Sequence, residues 1–344
     1  MRHRRIRWRW PVLAQAGLVA VLAFGFAACG GDDSGSTGSS GSAGGTAGTL
    51  RIGDQSKSLE LPITLSGQGQ GTSYKLNWNN FADGPHMNAA FSADRLDVGF
   101  MGDTPVLFAN ASDAGVVAVA VSESSVNSQT IFVPKDSDIR DLAGLKGKRI
   151  AFTQGTSLHG YLLNQLASVG LDQDDVKVVN VPAASIGATF ASGEADAVVY
   201  VRQFGAALGP DARELKTSPL PQYSVLLAAK DALADPARRA AVTDFVLRLS
   251  RASTWPKEHP DEWVQKYYVE TLKQDPKASR TFFDSLPRTR YTPVSDSFIE
   301  SQRVQAKLLS AVGELPTSLS VDNEIDKDFN LELRDAFTAA SLPL

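Results

Sequence analysis

From residue 49 onward the chain alternates two patterns of apolar and polar positions. Short runs rich in β-branched and aromatic residues read as strands: Leu50–Gly53, Tyr74–Trp78, Leu96–Phe100, Val116–Val121, Thr130–Val133, Arg149–Phe152, Val176–Val179, Ala195–Tyr200 and Ser224–Leu227. Between them lie segments whose apolar residues recur on one helical face. Over Ser157–Val169, for example, Leu158, Leu162, Leu166 and Val169 keep that spacing. Strand and helix in alternation predict α/β lobes with mostly parallel sheets. After Lys230 the strand pattern stops, and residues 235–312 read as successive helices, with Pro236, Pro260, Pro276 and Pro293 each placed where a helix begins. Trp255, Trp263, Tyr267 and Tyr268 in that stretch read as packing residues.

The first 48 residues follow neither pattern. Arg2, Arg4, Arg5, Arg7 and Arg9 stand ahead of an apolar, small-residue run, Val12–Ala28, with no acid before it, which is the build of a secretory signal. At about 17 residues the run is marginal as a membrane span. Its end, Phe26-Ala27-Ala28-Cys29, resembles the lipobox of bacterial lipoprotein signals, with Phe26 where that family prefers Leu. The resemblance implies that Cys29 becomes the lipidated first residue. The Gly/Ser/Thr tract from Gly30 to Gly48 cannot bury enough apolar surface to fold and reads as a flexible tether. The expectation is a signal over 1–28, a lipidated Cys and tether over 29–48, and an exported protein anchored on the extracytoplasmic face of the cell membrane.

Charge and cysteine narrow the function. The formal net charge is −4, and it becomes −9 once residues 1–28, with five Arg and no acid, are removed. An acidic body argues against nucleic acid as a partner. With the single Cys committed to lipid, neither a disulfide nor a Cys metal site can form. The four histidines, His3, His86, His159 and His259, show no zinc-binding spacing. No Gly-x-Ser-x-Gly elbow occurs, and Gly144–Arg149 lacks the spacing and hydroxyl of a phosphate-binding loop. The reading is of a protein that is not an enzyme and needs no cofactor or metal.

Several stretches then occur in a telling order: Leu50–Gln55, Phe81-Ala-Asp-Gly-Pro85, Leu96–Pro105, Ile131–Ser137, Asp141–Ala151, Gln154-Gly-Thr-Ser157 and Gly193–Ala197. Together they resemble the sulfonate, taurine and nitrate class of ABC-transporter substrate-binding proteins, over roughly residues 49 to 230. That resemblance implies a type II periplasmic binding protein fold: two α/β lobes with a hinge and a ligand cleft, and a helical C-terminal part. Lobe 1 is expected over 49–132, lobe 2 over 133–224, and the return to lobe 1 with the C-terminal helices over 225–344. It implies hinge closure on the ligand. The implied partners are a small anionic organic ligand, most simply an aliphatic sulfonate, and a cognate ABC permease with its ATPase, the chain acting as a monomer. Nitrate, taurine, an aromatic carboxylate or a pyrimidine thiamine precursor are the alternative ligands, and a surface sensor the alternative role.

An acidic protein that binds an anion needs local positive potential, which helix N-termini supply. Four candidates follow strands: Gln55-Ser56, Gly84 before Pro85, Gly102-Asp103-Thr104, and Gly155-Thr156-Ser157. Each of these polar residues also suits a plain helix cap. His159, one turn into its helix, is a further candidate donor, and His86 a weaker one. Where the family often has Trp-Asp-Pro, this chain reads Tyr200-Val-Arg-Gln-Phe204, so Tyr200 and Arg202 join the expected site, Arg202 as a charge partner. Trp78, Phe81, Phe100, Tyr200 and Phe204 are candidate aromatic lining.

Overall fold

The computed structural model describes residues 48–344. The signal, Cys29 and all but the last residue of the tether lie outside the described residues. Within them, no helix is long and apolar enough to cross a membrane.

The first lobe starts β1 (Thr49–Asp54), α1 (Glu60–Leu65), β2 (Lys75–Asn80), α2 (Gly84–Ser92), β3 (Val98–Gly102), α3 (Asp103–Ala111), β4 (Val116–Ser124). The second holds β5 (Gln129–Pro134), β6 (Arg149–Phe152), α4 (Ser157–Ala167), β7 (Lys177–Asn180), α5 (Ile186–Ala191), β8 (Ala197–Val201) and β9 (Ala212–Glu214). The chain then returns through β10 (Gln222–Ala229) to α6 (Lys230–Ala234), α7 (Pro236–Ala252), α8 (Trp255–Glu258), α9 (Pro260–Trp263), a π-helix (Val264–Thr271), α10 (Pro276–Ser285), β11 (Thr292–Pro293), α11 (Asp296–Ala311) and α12 (Lys327–Ala339).

Two sheets result, ordered β11-β4-β10-β3-β1-β2 and β7-β6-β8-β5-β9. The expectation of mostly parallel sheets is corrected. β1 pairs in parallel with β2 and β3, and β6 with β7 and β8, but β10 runs antiparallel to β3 and β4, and β5 antiparallel to β8 and β9. The antiparallel members are the strands next to the two crossings, where the chain enters one sheet from the other. Both crossings also lie earlier than expected from the boundaries at 132 and 225. β5 belongs wholly to the second sheet and β10 to the first, so the chain changes sheets over residues 125–128 and 215–221. The crossing segments are laced together: the Ser128 hydroxyl donates to Gln222 Oε1 at 2.7 Å, and buried Asn127 accepts from the Leu220 amide and donates to the Ser218 carbonyl.

Alternation along the strands divides the first sheet's side chains between two cores. Ile52, Leu226 and Ala228 pack with Val242, Phe245 and Leu249 of α7 and with Phe329, Leu333 and Phe337 of α12. Val225 and Leu227 face Met87 and Phe91 of α2. The second sheet buries Leu158, Leu162 and Leu166 of α4, as their spacing predicts. Val169 is 39% exposed because the helix ends at Ala167, before Gly170 turns left-handed at φ +74°. Proline opens α7, α9 and α10, whereas Pro293 sits in β11 rather than at a helix start.

Candidate functional site

The ends of β1, β3 and β6 and the helices that follow them meet at a cavity between the two sheets, of about 1180 Å³. Strand ends feeding helix starts are where open α/β sheets bind ligands.

Three of the four helix starts expected to hold an anion carry a carboxyl of the protein itself, and the fourth is capped by a hydroxyl. Asp54, fully buried, accepts from the amides of Leu59 and Glu60 at the start of α1, from the Gln55 amide, and from the Ser58 hydroxyl. Asp83 caps α2 through the His86 amide at 3.0 Å. Asp103 takes the Thr104 amide at 2.8 Å and Gln305 Nε2 at 2.9 Å. Thr156 caps α4 by accepting from the Leu158 amide at 3.2 Å, while donating to the Thr153 carbonyl. Burial pushes the Asp54 and Asp103 carboxyls upward, against hydrogen bonds that stabilise their ionised forms. Three of the four starts thus carry the protein's own carboxyl, and only α4 is capped by a neutral group.

The expected residues divide accordingly. Gln55, Ser56, Gly84, Gly102, Asp103, Thr156, Ser157 and Tyr200 line the cavity. Ser56, with Lys57 after it, holds a left-handed backbone, at φ 54° and 58°. Such conformations cluster at binding sites because surrounding structure must hold them. Gly155 does not line the cavity; its φ of +74° makes the turn into α4. Thr104 is buried and donates its hydroxyl to Gln305 Oε1 at 2.7 Å. His159 is buried in the second core, 2.7 Å from Gln173 Oε1 with its ring against Phe152, and burial lowers its pKa. Arg202 is spent on Glu214 at 3.0 Å and lies outside the lining. His86 is exposed beside Asp83. Trp78 and Phe81 pack into the first lobe's cores, while Phe100, Tyr200 and Phe204 face the cavity.

The seam between the lobes depends on missing side chains. A Cβ on Gly102 of β3 would fall 1.9 Å from Ser157 Oγ of α4, and one on Gly160 of α4 would fall 2.1 Å from Thr104 Oγ1 and 2.5 Å from Gln305 Oε1. Leu107 of α3, Leu163 of α4 and Leu309 of α11 form a small apolar core across the same seam. Elsewhere Gln274 Nε2 donates to the Gln203 carbonyl at 3.0 Å, joining the C-terminal helices to the second lobe.

Aromatic residues read from sequence as packing prove to do two things. Trp263 stacks on Tyr267 at 4.6 Å and Tyr268 meets Tyr267 edge-on at 5.1 Å; all three sit in a core with Phe283 and also line the cavity. Burial pushes the Tyr267 phenol up to about 12. Lys257 also lines the cavity, and nothing in the sequence marks it, because one Lys among the charged residues of the C-terminal helices carries no signal.

Comparison with known proteins agrees with this architecture. A family model described as ABC transporter, phosphonate, periplasmic substrate-binding protein matches residues 71–298. A protein of Escherichia coli K12 named for aliphatic sulfonates binding is 32% identical over 200 residues, 57% of this chain and 58% of the relative. The match thus spans little more than half of that relative's length. A Bacillus subtilis protein of the same name is 24% identical over 265 residues, 74% of this chain and 77% of the relative. The solved alkanesulfonate-binding protein of Xanthomonas axonopodis pv. citri, bound to MOPS, superposes with a TM-score of 0.73 at 26% identity, covering 82% of this chain and 99% of that one. The desulfurization enzyme DSZB shares the fold at 18% identity and a TM-score of 0.62. The two-sheet fold, the cleft at the strand ends and the family match lead to one statement: the chain belongs to the family of ABC-transporter periplasmic substrate-binding proteins that the phosphonate model describes, as its ordered motifs implied.

Proposed function

We propose that the chain is the extracytoplasmic solute-binding component of an ABC importer, that it captures an organic sulfonate between its lobes, and that it delivers the closed complex to a cognate permease and ATPase. The observation that carries the reading is the interlobe cavity, lined from both sheets and sealed along a seam where Gly102 and Gly160 let the lobes approach. The sulfonate is favoured by relatives named for sulfonates and by a structural neighbour that holds one. Mechanism here is differential affinity: the ligand must bind the closed arrangement more tightly than the open one, or nothing reaches the permease. No bond is made or broken. Ser157, at the one helix start capped without a carboxyl, is a neutral donor in the lining that can meet an anion.

Calorimetry with alkanesulfonates, taurine, nitrate, sulfate and a pyrimidine tests the reading. Saturable binding of a sulfonate with a fall in radius of gyration on ligation is the expected result, and binding of the pyrimidine alone would overturn it. The reading includes lipidation at Cys29 and a monomeric body. A Cys29→Ala chain is expected to leave the membrane fraction with its affinity intact, and retention on the membrane would refute the anchor.

A further inference from the structure

Among the described residues, the cavity lining contains four carboxyls, Asp83, Asp103, Glu123 and Glu300, and one cation, Lys257. Asp83 caps α2, Asp103 is held by the Thr104 amide and Gln305, and Glu123 and Glu300 are exposed. Lys257 is placed otherwise. It projects from α8 over the ring of Phe283, with Nζ 4.1 Å from the centroid, and donates to the Phe283 carbonyl at 2.6 Å. An ammonium has three N–H donors, so two remain. Among the described residues no carboxylate lies within 4 Å of it: Asp284 attracts it from farther off but is itself ion-paired with Arg280 at 2.8 Å, whereas Arg202, the cation expected from sequence, is held by Glu214. A partly desolvated ammonium with no carboxylate in contact, in the wall of a cavity, is complementary to an anionic group.

The rest of the wall describes what that anion is attached to. About 1180 Å³ exceeds the roughly 300–1,000 Å³ of ordinary ligand pockets, and a two-carbon sulfonate would leave most of it without contacts. Aromatic faces come from both lobes: Phe100 from the first, and Tyr200 and Phe204, with centroids 6.0 Å apart, from the second. All three are only partly buried, so a flat apolar body can cover surface that the protein leaves uncovered. The core that holds Phe283 beneath Lys257 also includes Tyr267 and Tyr268 of a π-helix, Val264–Thr271, which supplies Tyr267 to the lining. That helical form is rare and recurs at functional sites.

We propose that the cavity selects a sulfonate carried on a flat aromatic body, with Lys257 holding the sulfonate and the aromatic residues of the two lobes enclosing the ring. The proposal rests on the sulfonate reading above and adds the body and the charge partner to it. The test is calorimetry of the full-length chain, near neutral pH at fixed salt, with a naphthalenesulfonate, ethanesulfonate and the uncharged naphthalenesulfonamide. The naphthalenesulfonate is expected to bind at least about tenfold more tightly than ethanesulfonate, and Lys257→Met to weaken both sulfonates by about tenfold or more while leaving the sulfonamide unchanged. Lys257→Arg should restore most of the loss. Phe204→Ala should weaken the naphthalenesulfonate and spare ethanesulfonate, and it carries the test if Lys257→Met does not fold. Ethanesulfonate binding as tightly as the naphthalenesulfonate, or a naphthalenesulfonate indifferent to both Lys257 and Phe204 variants, would overturn the proposal while the sulfonate reading stands. Silence from every sulfonate would remove the reading, and the proposal with it.

Discussion

Adding one methyl group at Gly160 should separate closure from folding. Gly160 lies buried in α4, without a left-handed backbone, so alanine is compatible with the helix and favours it by about 0.8–1 kcal/mol over glycine. In this arrangement of the lobes the new Cβ would stand 2.1 Å from Thr104 Oγ1 and 2.5 Å from Gln305 Oε1, about an ångström inside ordinary contact. Neither neighbour can swing clear, since Thr104 is fully buried, Gln305 is nearly so, and the two are bonded to each other at 2.7 Å. Overpacking of this kind costs about 1–3 kcal/mol and the strained buried hydrogen bond about 1 more. The penalty falls only where the lobes meet, so a total of about 2–4 kcal/mol appears as roughly 30- to 700-fold weaker ligand binding. The apo protein should melt no lower than wild type. Calorimetry with the bound sulfonate and small-angle scattering with and without it read both effects. Gly102→Ala is the graded companion: its sharpest clash is with the Ser157 hydroxyl, which can rotate, leaving the Ser157 Cβ at 3.1 Å to give slightly, so a loss of only severalfold is expected. If Gly160→Ala binds within about threefold of wild type, the seam is not the closed state that ligand selects.

Three other outcomes follow from the same geometry. Glu324 is 2% exposed, with Gln302 Nε2 at 3.0 Å, and burial pushes its carboxyl up to about 7 from the ordinary 4.5. Its folded pKa is the higher one, so the stability it contributes is fully present below about 4.5 and lost as pH rises through 7, at most about 3 kcal/mol; Glu324→Gln should flatten that loss in urea unfolding, and an unchanged pH profile would contradict it. His159→Phe should lower the melting temperature by breaking the Gln173 contact while leaving sulfonate affinity unchanged, and a large affinity loss would return His159 to the binding site. Asp103→Asn should tighten sulfonate binding, by roughly tenfold as one like charge leaves the lining, at pH values where Asp103 is ionised, with the gain vanishing as the carboxyl protonates; weaker binding at every pH would make Asp103 a direct ligand.

What the sequence disclosed and what it hid follow from range of interaction. The runs at Leu50, Val116, Arg149 and Ala195 each became a strand because β-branched residues on a half-buried surface carry a local signal. β9 and β11, with three and two residues, have no such signal; they are strands because β5 and β4 offer them an edge. The boundaries at 132 and 225 were displaced for a related reason: Thr130–Val133 reads as a strand in either sheet, and only pairing with β8 assigns it to the second. Tyr267 and Tyr268 read as packing residues and are buried in a core, but nothing local in the sequence announces that the far side of that core lines the cavity.

The helix starts carry the sharper lesson. Glycine and hydroxyl residues after a strand signal an anion site only if the helix dipole is left free, and an aspartate in the same junction competes for those amides. This chain places Asp54, Asp83 and Asp103 at three of its four junctions, and each carboxyl takes the amides an incoming anion would need. At the fourth, Thr156 satisfies one amide without adding charge, so positive potential survives at the α4 start beside Ser157. An anion entering this cleft would therefore meet one helix start without a carboxyl in the second lobe and, in the C-terminal helices, the Lys257 ammonium, which has no carboxylate in contact, with carboxyls elsewhere around it. Orientation of the ligand is then set as much by where its charge is refused as by where it is held, which is how a net-acidic body can bind an anion selectively.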